Sequence, residues 1–313
     1  MFFQDDETLV LLAVGGIDTH VRIAYSHVDR RRLARFTAAN FGSAARVREL
    51  AIDLEDLFQY ELVGVVAPFA DLCEPGDTVI IGPTKPVHNI PLGAVRLNDD
   101  VLLARNPLVI SPSASLLRAR RLAARPGGER AVFGDPTGDL NGARVEATEL
   151  AERWHVTPFL GSAATAEALI ASLASAGSVH VAAHAAFSAE EPLASGVRMA
   201  NRDLPAREIL GIRTSALDLV TLSACESGIY QADRSEEPMG LPRALLFAGA
   251  HSVLASLWKV PDSSAHQLMT GFYSGLSDGL PKAEALRRTA LAVREQHEQL
   301  DRWAAFALFG SWL

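Results

Sequence analysis

Apolar and polar positions change period several times along this chain, and each change predicts an element. Leu9–Val14 and Val21–Tyr25 are apolar runs separated by Gly15-Gly16-Ile17-Asp18, the punctuation of a hairpin. From Arg30 to about Leu72 the pattern turns helical. Leu50, Leu54, Leu57 and Phe58 recur at spacings of three and four and are expected on one helix face. Residues 75–82 predict a short buried strand between turn signals, residues 101–110 a further extended stretch, and Ser113–Ala123 a helix. Arg125-Pro126-Gly127-Gly128-Glu129 joins a helix stop to a flexible pair and marks the clearest boundary.

Beyond that boundary strands and helices alternate. Strands are expected at 130–134, near 155–160, at 178–183, 217–224 and 252–257; helices at 142–154, 165–176, 238–249, 261–278 and 281–298. Such alternation predicts an α/β fold, a parallel sheet with helices on both faces. Leu217–Ala224 is apolar nearly throughout, as expected of a strand covered on both sides. In parallel sheets, ligands and reactive groups gather at the carboxyl ends of the strands.

Composition narrows the function classes. Of 313 residues 49% are apolar, enough to fill a core and to exclude a disordered tail. A net charge of −8, from 29 basic and 37 acidic side chains, argues against nucleic acid as a partner, because phosphate binding draws on clustered Lys and Arg. No run of about 18 uninterrupted apolar residues is present, and Met1–Asp6 lacks the basic and apolar regions of a secretory signal. A soluble, cytoplasmic protein with no membrane partner is expected. Two cysteines, Cys73 and Cys225, do not make a disulfide framework.

Two predicted strands end in reactive side chains. Strand 178–183 runs into His184 and strand 217–224 into Cys225. If the strands are neighbours, a thiol and an imidazole meet at one sheet edge, the minimum for nucleophilic acyl transfer. Each also has a plainer reading, as a core cysteine or a structural histidine. His180 and His184 lie four apart, but on a strand that spacing is about 13 Å, too far to share one zinc. His180 therefore reads as structural and Cys73 as packing. No nucleotide-binding glycine motif, serine-hydrolase elbow or zinc-protease helix is present, and no cofactor or metal is expected.

His180-Val-Ala-Ala-His184 with Pro192 and Ser195-Gly196, Leu222-Ser-Ala-Cys-Glu-Ser-Gly228, and Gly240–Ala250 followed by Ser252–Asp262 resemble the motifs of CHAT domains. These are caspase-like cysteine peptidases, of the clan that includes separase and the caspases. The resemblance runs in order from about residue 75 to 313. It implies a three-layer caspase-like α/β/α sandwich, with residues 1–125 as an inactive pseudo-protease half and 129–313 as the active half. It implies Cys225 as nucleophile and His184 as general acid/base, with the backbone N–H groups of Ala185 and Cys225 forming the oxyanion hole. The family usually has Gly where this chain has Ala185, and more often Thr where it has Ser227.

The resemblance further implies that substrate adds as a strand beside Ser252–Lys259, with Ser256 and Trp258 as substrate-binding residues and Asp135 as a pocket charge favouring a basic or polar residue. The alternatives are a packing role for Trp258 and a turn cap for Asp135. The acidic stretch 229–239 is expected to be a surface loop, gating or cleaved on activation or simply solvated. A protein substrate and an activating protein partner, in defence or regulated cell death, are implied. The rival reading is a catalytically silent interaction module.

Overall fold

The computed structural model describes residues 1–15, 20–41, 55–88, 90–122, 128–186, 188, 191–224, 231–232 and 238–313. Near the start, β1 (Phe2–Phe3), β2 (Thr8–Val14) and β3 (Val21–His27) form a small antiparallel sheet in that order. Helix α1 (Arg30–Asn40) begins where the Asp29 carboxylate accepts a hydrogen bond from the Arg32 N–H. Helix α2 (Glu55–Val66) buries Phe58, Leu62, Val65 and Val66. Leu57, expected on the same stripe, is 38% exposed: the register of the buried face is set one residue later. Leu50 and Leu54 lie outside the described residues.

The main sheet has eight strands: β4 (Val79–Ile81), β5 (Leu108–Ile110), β6 (Arg130–Gly134), β7 (Phe159–Leu160), β8 (Ser178–Ala182), β12 (Leu219–Ser223), β13 (Ser252–Ser256) and β14 (Phe306–Gly310). Between β8 and β12 a minor antiparallel sheet is built from β9 (Ala185–Ala186), β10 (Gly196–Arg198) and β11 (Asp203–Pro205). The main order is β4-β5-β14-β13-β12-β8-β6-β7. The five strands from β13 to β7 are mutually parallel, β4, β5 and β14 are parallel to one another, and β13 meets β14 antiparallel. Strands from either side of the 125–129 boundary therefore share one sheet.

Helices pack over the sheet: α3 (Ala114–Leu122), α4 (Asn141–Trp154), α5 (Ala166–Ser175), α6 (Leu241–Ala248), α7 (Asp262–Ser277) and α8 (Lys282–Gln296). β13 is buried at all five positions and β12 at four, which accounts for their continuous apolar runs. Gly134 lets α4 approach β6 closely, since a Cβ there would meet the Ala147 methyl at 2.4 Å.

Two readings need correction. Residues 101–110 are not one extended stretch: Leu102–Arg105 form a helical turn before β5, an ambiguity that periodicity does not resolve in so short an apolar run. β14 was not anticipated. It leaves Ser252–Ser256 without an open edge for substrate, because β13 is already paired with β12 on one side and with β14 on the other; Leu257–Lys259, the rest of the expected docking stretch, lie beyond both pairings. Among the described residues no helix is long and apolar enough to cross a membrane.

Candidate active site

β8 and β12 pair in register, with His180 opposite Thr221 and Ala182 opposite Ser223. The two strands thus end level, and their continuations, Ala183-His184 and Ala224, leave the sheet at one edge. Cys225 itself lies outside the described residues. His184 and Ala224 line a single cleft of about 210 Å³, whose walls include Glu146, Ser256, Lys259 and Asp262.

The His184 imidazole is 39% exposed. Its Nε2 lies 3.2 Å from both carboxylate oxygens of Asp139. The Thr137 hydroxyl donates to the same carboxylate, and this bond, followed by that from His184, holds the Asp139 carboxyl below its ordinary range. An ionised Asp139 only accepts, so Nε2 carries a proton, and in the neutral ring Nδ1 is the nitrogen that keeps a lone pair. Asp139 escaped the sequence reading. The available signal was its place in the polar loop after β6, at the carboxyl edge of the sheet, but Asp135 sits nearer the strand and drew the assignment.

Ala185 pairs with Val197, while the Arg198 N–H donates to the His184 carbonyl at 2.9 Å. That bond makes Ala185–Val197 a non-hydrogen-bonded pair, so the Ala185 N–H points away from β10. Among the described non-glycine residues only Asn98, Asp135 and His155 have positive φ. Ala185 is not one of them, and its methyl group costs the backbone nothing.

Asp135 is 1% exposed. Its carboxylate accepts from the Leu140 N–H at 2.8 Å and from Arg144 Nε at 2.9 Å, and it does not line the cleft. Trp258 is buried, donates from Nε1 to the Asp301 carbonyl at 3.1 Å and is likewise absent from the cleft wall. Ser256 does line it, and donates to the Ala224 carbonyl at 2.5 Å. The structure therefore brings together His184, Ala224 and Ser256 in one cleft, with Ala185 next in the chain after His184, and sets Asp135 and Trp258 apart from them. Residues 229, 230 and 233–237 of the acidic stretch lie outside the described residues.

Beneath the cleft runs a buried polar chain. His180 Nε2 meets Glu146 Oε1 at 2.9 Å, its Nδ1 meets the Tyr273 hydroxyl at 2.9 Å, and that hydroxyl donates to Thr221 Oγ1 at 2.8 Å. Burial pushes the Tyr273 phenol far above its ordinary range, so it remains a donor. Because it donates to Thr221, it accepts from Nδ1–H of His180. The chain ties β8 to β12 four residues before His184 and Cys225 respectively. Cys73 is half-buried: burial pushes its thiol up, partly offset by Arg105, whose Nη1 lies 3.3 Å from Sγ.

A family model described as CHAT domain matches residues 61–311. The chain belongs to the CHAT domain family. Tetratricopeptide repeat protein 28 of Mus musculus is 30% identical over 216 residues, covering 56% of this chain and 9% of that protein. Its Homo sapiens counterpart is 26% identical over 258 residues, covering 67% and 10%. This CHAT chain thus spans about a tenth of the length of the curated relatives it matches. Among solved structures it is similar to separase in the Saccharomyces cerevisiae separase–securin complex, with a TM-score of 0.56 at 15% identity over 74% of this chain and 15% of that one. It is also similar to the Arg-specific cysteine proteinase gingipain R, with a TM-score of 0.53 at 11% identity over 91% of this chain and 74% of that one. At these identities the likeness is one of fold. The large, mostly parallel sheet flanked by helices is the caspase-like architecture of those peptidases.

Proposed function

We propose that this CHAT domain is a cysteine peptidase with Cys225 as nucleophile and His184 as general acid/base. The observation that carries the reading is the shared cleft. His184 and Ala224, the residue before Cys225, meet at the level carboxyl ends of adjacent parallel strands. With Nε2 committed to Asp139, Nδ1 takes the proton from the Cys225 thiol. The thiolate adds to the peptide carbonyl carbon, and the oxyanion accepts from the Ala185 and Cys225 N–H groups. As the C–N bond breaks, Nδ1 returns its proton to the departing amine, leaving a thioester. A water deprotonated by Nδ1 then hydrolyses the thioester and restores the thiol. Asp139 orients the imidazole and fixes its tautomer.

Glu146 and Asp262 outnumber Lys259 in the cleft wall, which supports a basic or polar side chain beside the scissile bond. In this reading those residues take the role expected of Asp135. Thiolate chemistry requires a compartment that keeps Cys225 reduced, such as the cytoplasm. Activation by a protein partner, a part in defence or cell death, and the division into an inactive 1–125 half and an active 129–313 half rest on the family resemblance.

A second reading has its own support. The curated relatives are named for tetratricopeptide repeats and are about ten times longer than the matched region, which suits a catalytically silent module that binds other proteins. A peptidyl chloromethyl ketone with Arg beside the warhead separates the two. Labelling of Cys225 that is absent in Cys225→Ala and at least tenfold slower in His184→Ala supports the peptidase. An unlabelled wild type leaves the interaction module.

A further inference from the structure

A second cleft, of about 380 Å³, lies between the small N-terminal sheet and the outermost strand of the main sheet. Leu11–Gly15 form one wall and Val79–Gly82 the other, with Met1, Arg22, Cys73 and Asp77 between them. Both walls are strand edges, and the pairing fixes the direction of their backbone groups.

On β4, the Val79 N–H donates to the Pro107 carbonyl and the Ile81 carbonyl accepts from the Ser111 N–H. In a parallel pair alternate residues face the partner, so Val79 and Ile81 are committed to β5. Ile80 turns its N–H and carbonyl the other way, into the cleft. On β2, the Val28 N–H bond to the Glu7 carbonyl makes Thr8–His27 a non-hydrogen-bonded pair. Leu9, Leu11 and Ala13 then bond to β3, and the even-numbered residues face the opposite edge. β1 takes up that edge only as far as Val10, which pairs with Phe2. Leu12 and Val14 also direct N–H and carbonyl groups into the cleft. Among the described residues none pairs with these groups of Ile80, Leu12 or Val14. Met1, next to β1 in the chain, also lines the cleft, and its amino group donates to the Gly82 carbonyl at 3.2 Å.

Two facing strand edges with unmet donors and acceptors take one kind of occupant well, an extended peptide. The side-chain chemistry is constrained too. The outer face of the small sheet is apolar and solvent-exposed at Leu12, Val14, Val21, Ile23 and Tyr25. A strand laid in line with β1 would extend that face with every second side chain. We propose that an extended peptide segment of a partner protein, about four residues long and apolar and β-branched at alternate positions, docks here and joins the two sheets into one. The site lies four strands from β12 in the sheet order, about 19 Å away at the usual strand spacing, and is independent of the peptidase reading.

The test uses the full chain to select binders from a phage-displayed library of random decapeptides, followed by amide hydrogen exchange with a synthetic copy of the best binder. Selected sequences should alternate apolar β-branched residues and lack Pro at the pairing positions. The amides of Leu12, Val14 and Ile80 should exchange at least tenfold more slowly in the complex, while those of Leu11 and Val79, already paired, change little. Ile80→Pro removes a donor that faces only the cleft, a position at which an edge strand tolerates Pro. It should weaken the peptide at least tenfold and leave labelling of Cys225 as in the wild type. Recovery of no decapeptide, equal binding to Ile80→Pro, or protection confined to other amides would overturn the proposal. Should Ile80→Pro fail to fold, the exchange pattern in the wild-type chain decides alone.

Discussion

The Ser256 hydroxyl holds the carbonyl of Ala224, at 2.5 Å, across the adjacent strands β13 and β12. Ser256 is 1% exposed, so the bond fixes the last described residue before Cys225 from inside the protein. Ser256→Ala leaves that carbonyl without this donor, a change expected to cost about 1–3 kcal/mol. Urea unfolding should register the loss, and labelling of Cys225 by the peptidyl probe should slow more than tenfold under conditions where the variant remains folded.

Asp139→Asn keeps the shape of the side chain and removes its charge. The amide can present an N–H to Nε2, favouring the tautomer with the proton on Nδ1, where it cannot act as base. Labelling should fall about a hundredfold with the melting temperature little changed, since the Asp139 side chain is 64% exposed.

The pH dependence of this pair has a definite sign. The Asp139 carboxyl is held below its ordinary value of 3.8, so its contribution is complete above that pH and disappears as pH falls through the depressed value. A carbon-detected carboxyl titration should place the Asp139 midpoint below 3.8. In Thr137→Val, which lacks the first donor to this group, the midpoint should rise.

Tyr273→Phe removes the hydroxyl that links His180 to Thr221. It strands Nδ1–H of His180 and should cost about 1–3 kcal/mol, measured by urea unfolding at neutral pH. Tyr273 is raised above 10 in the folded chain, so wild-type stability is full below pH 10 and declines as pH climbs past it, where only the unfolded phenol ionises. The alkaline decline should be shallower in Tyr273→Phe.

Gly134→Ala places a methyl group 2.4 Å from that of Ala147. Helix α4 has to back away from β6, an overpacking expected to cost about 1–3 kcal/mol or more. Because α4 carries Glu146 and comes directly after the loop that holds Asp139, labelling of Cys225 should fall together with the melting temperature.

The parallel core was legible in the sequence because its signals are local. The apolar run of Leu219–Ser223 and the flanking helical periodicities point to the same layers, and His184 stands out because it directly succeeds the apolar run of β8. What stayed hidden depends on contacts distant in sequence. Asp139 reaches His184 across 45 residues, and nothing in Thr137-Gly138-Asp139 distinguishes it from an ordinary turn. Asp135 has the better position along the chain, but a left-handed backbone, φ 47°, and the fork of Arg144 turn it inward. The missed strand Phe306–Gly310 is short, and its place is fixed by Ser252–Ser256 some fifty residues earlier.

That strand has a consequence for how the protein is made. Phe306–Gly310 comes after every other strand of the main sheet in the chain, yet it lies between Ser252–Ser256 and Leu108–Ile110. During synthesis the two parts of the sheet have no common member until residue 310 has left the ribosome. Closing a loop of about two hundred residues is a slow step. The nascent chain therefore holds its reactive edge unfinished until that strand has emerged, and the cleft beside Ser256 gains its Phe306 wall only then.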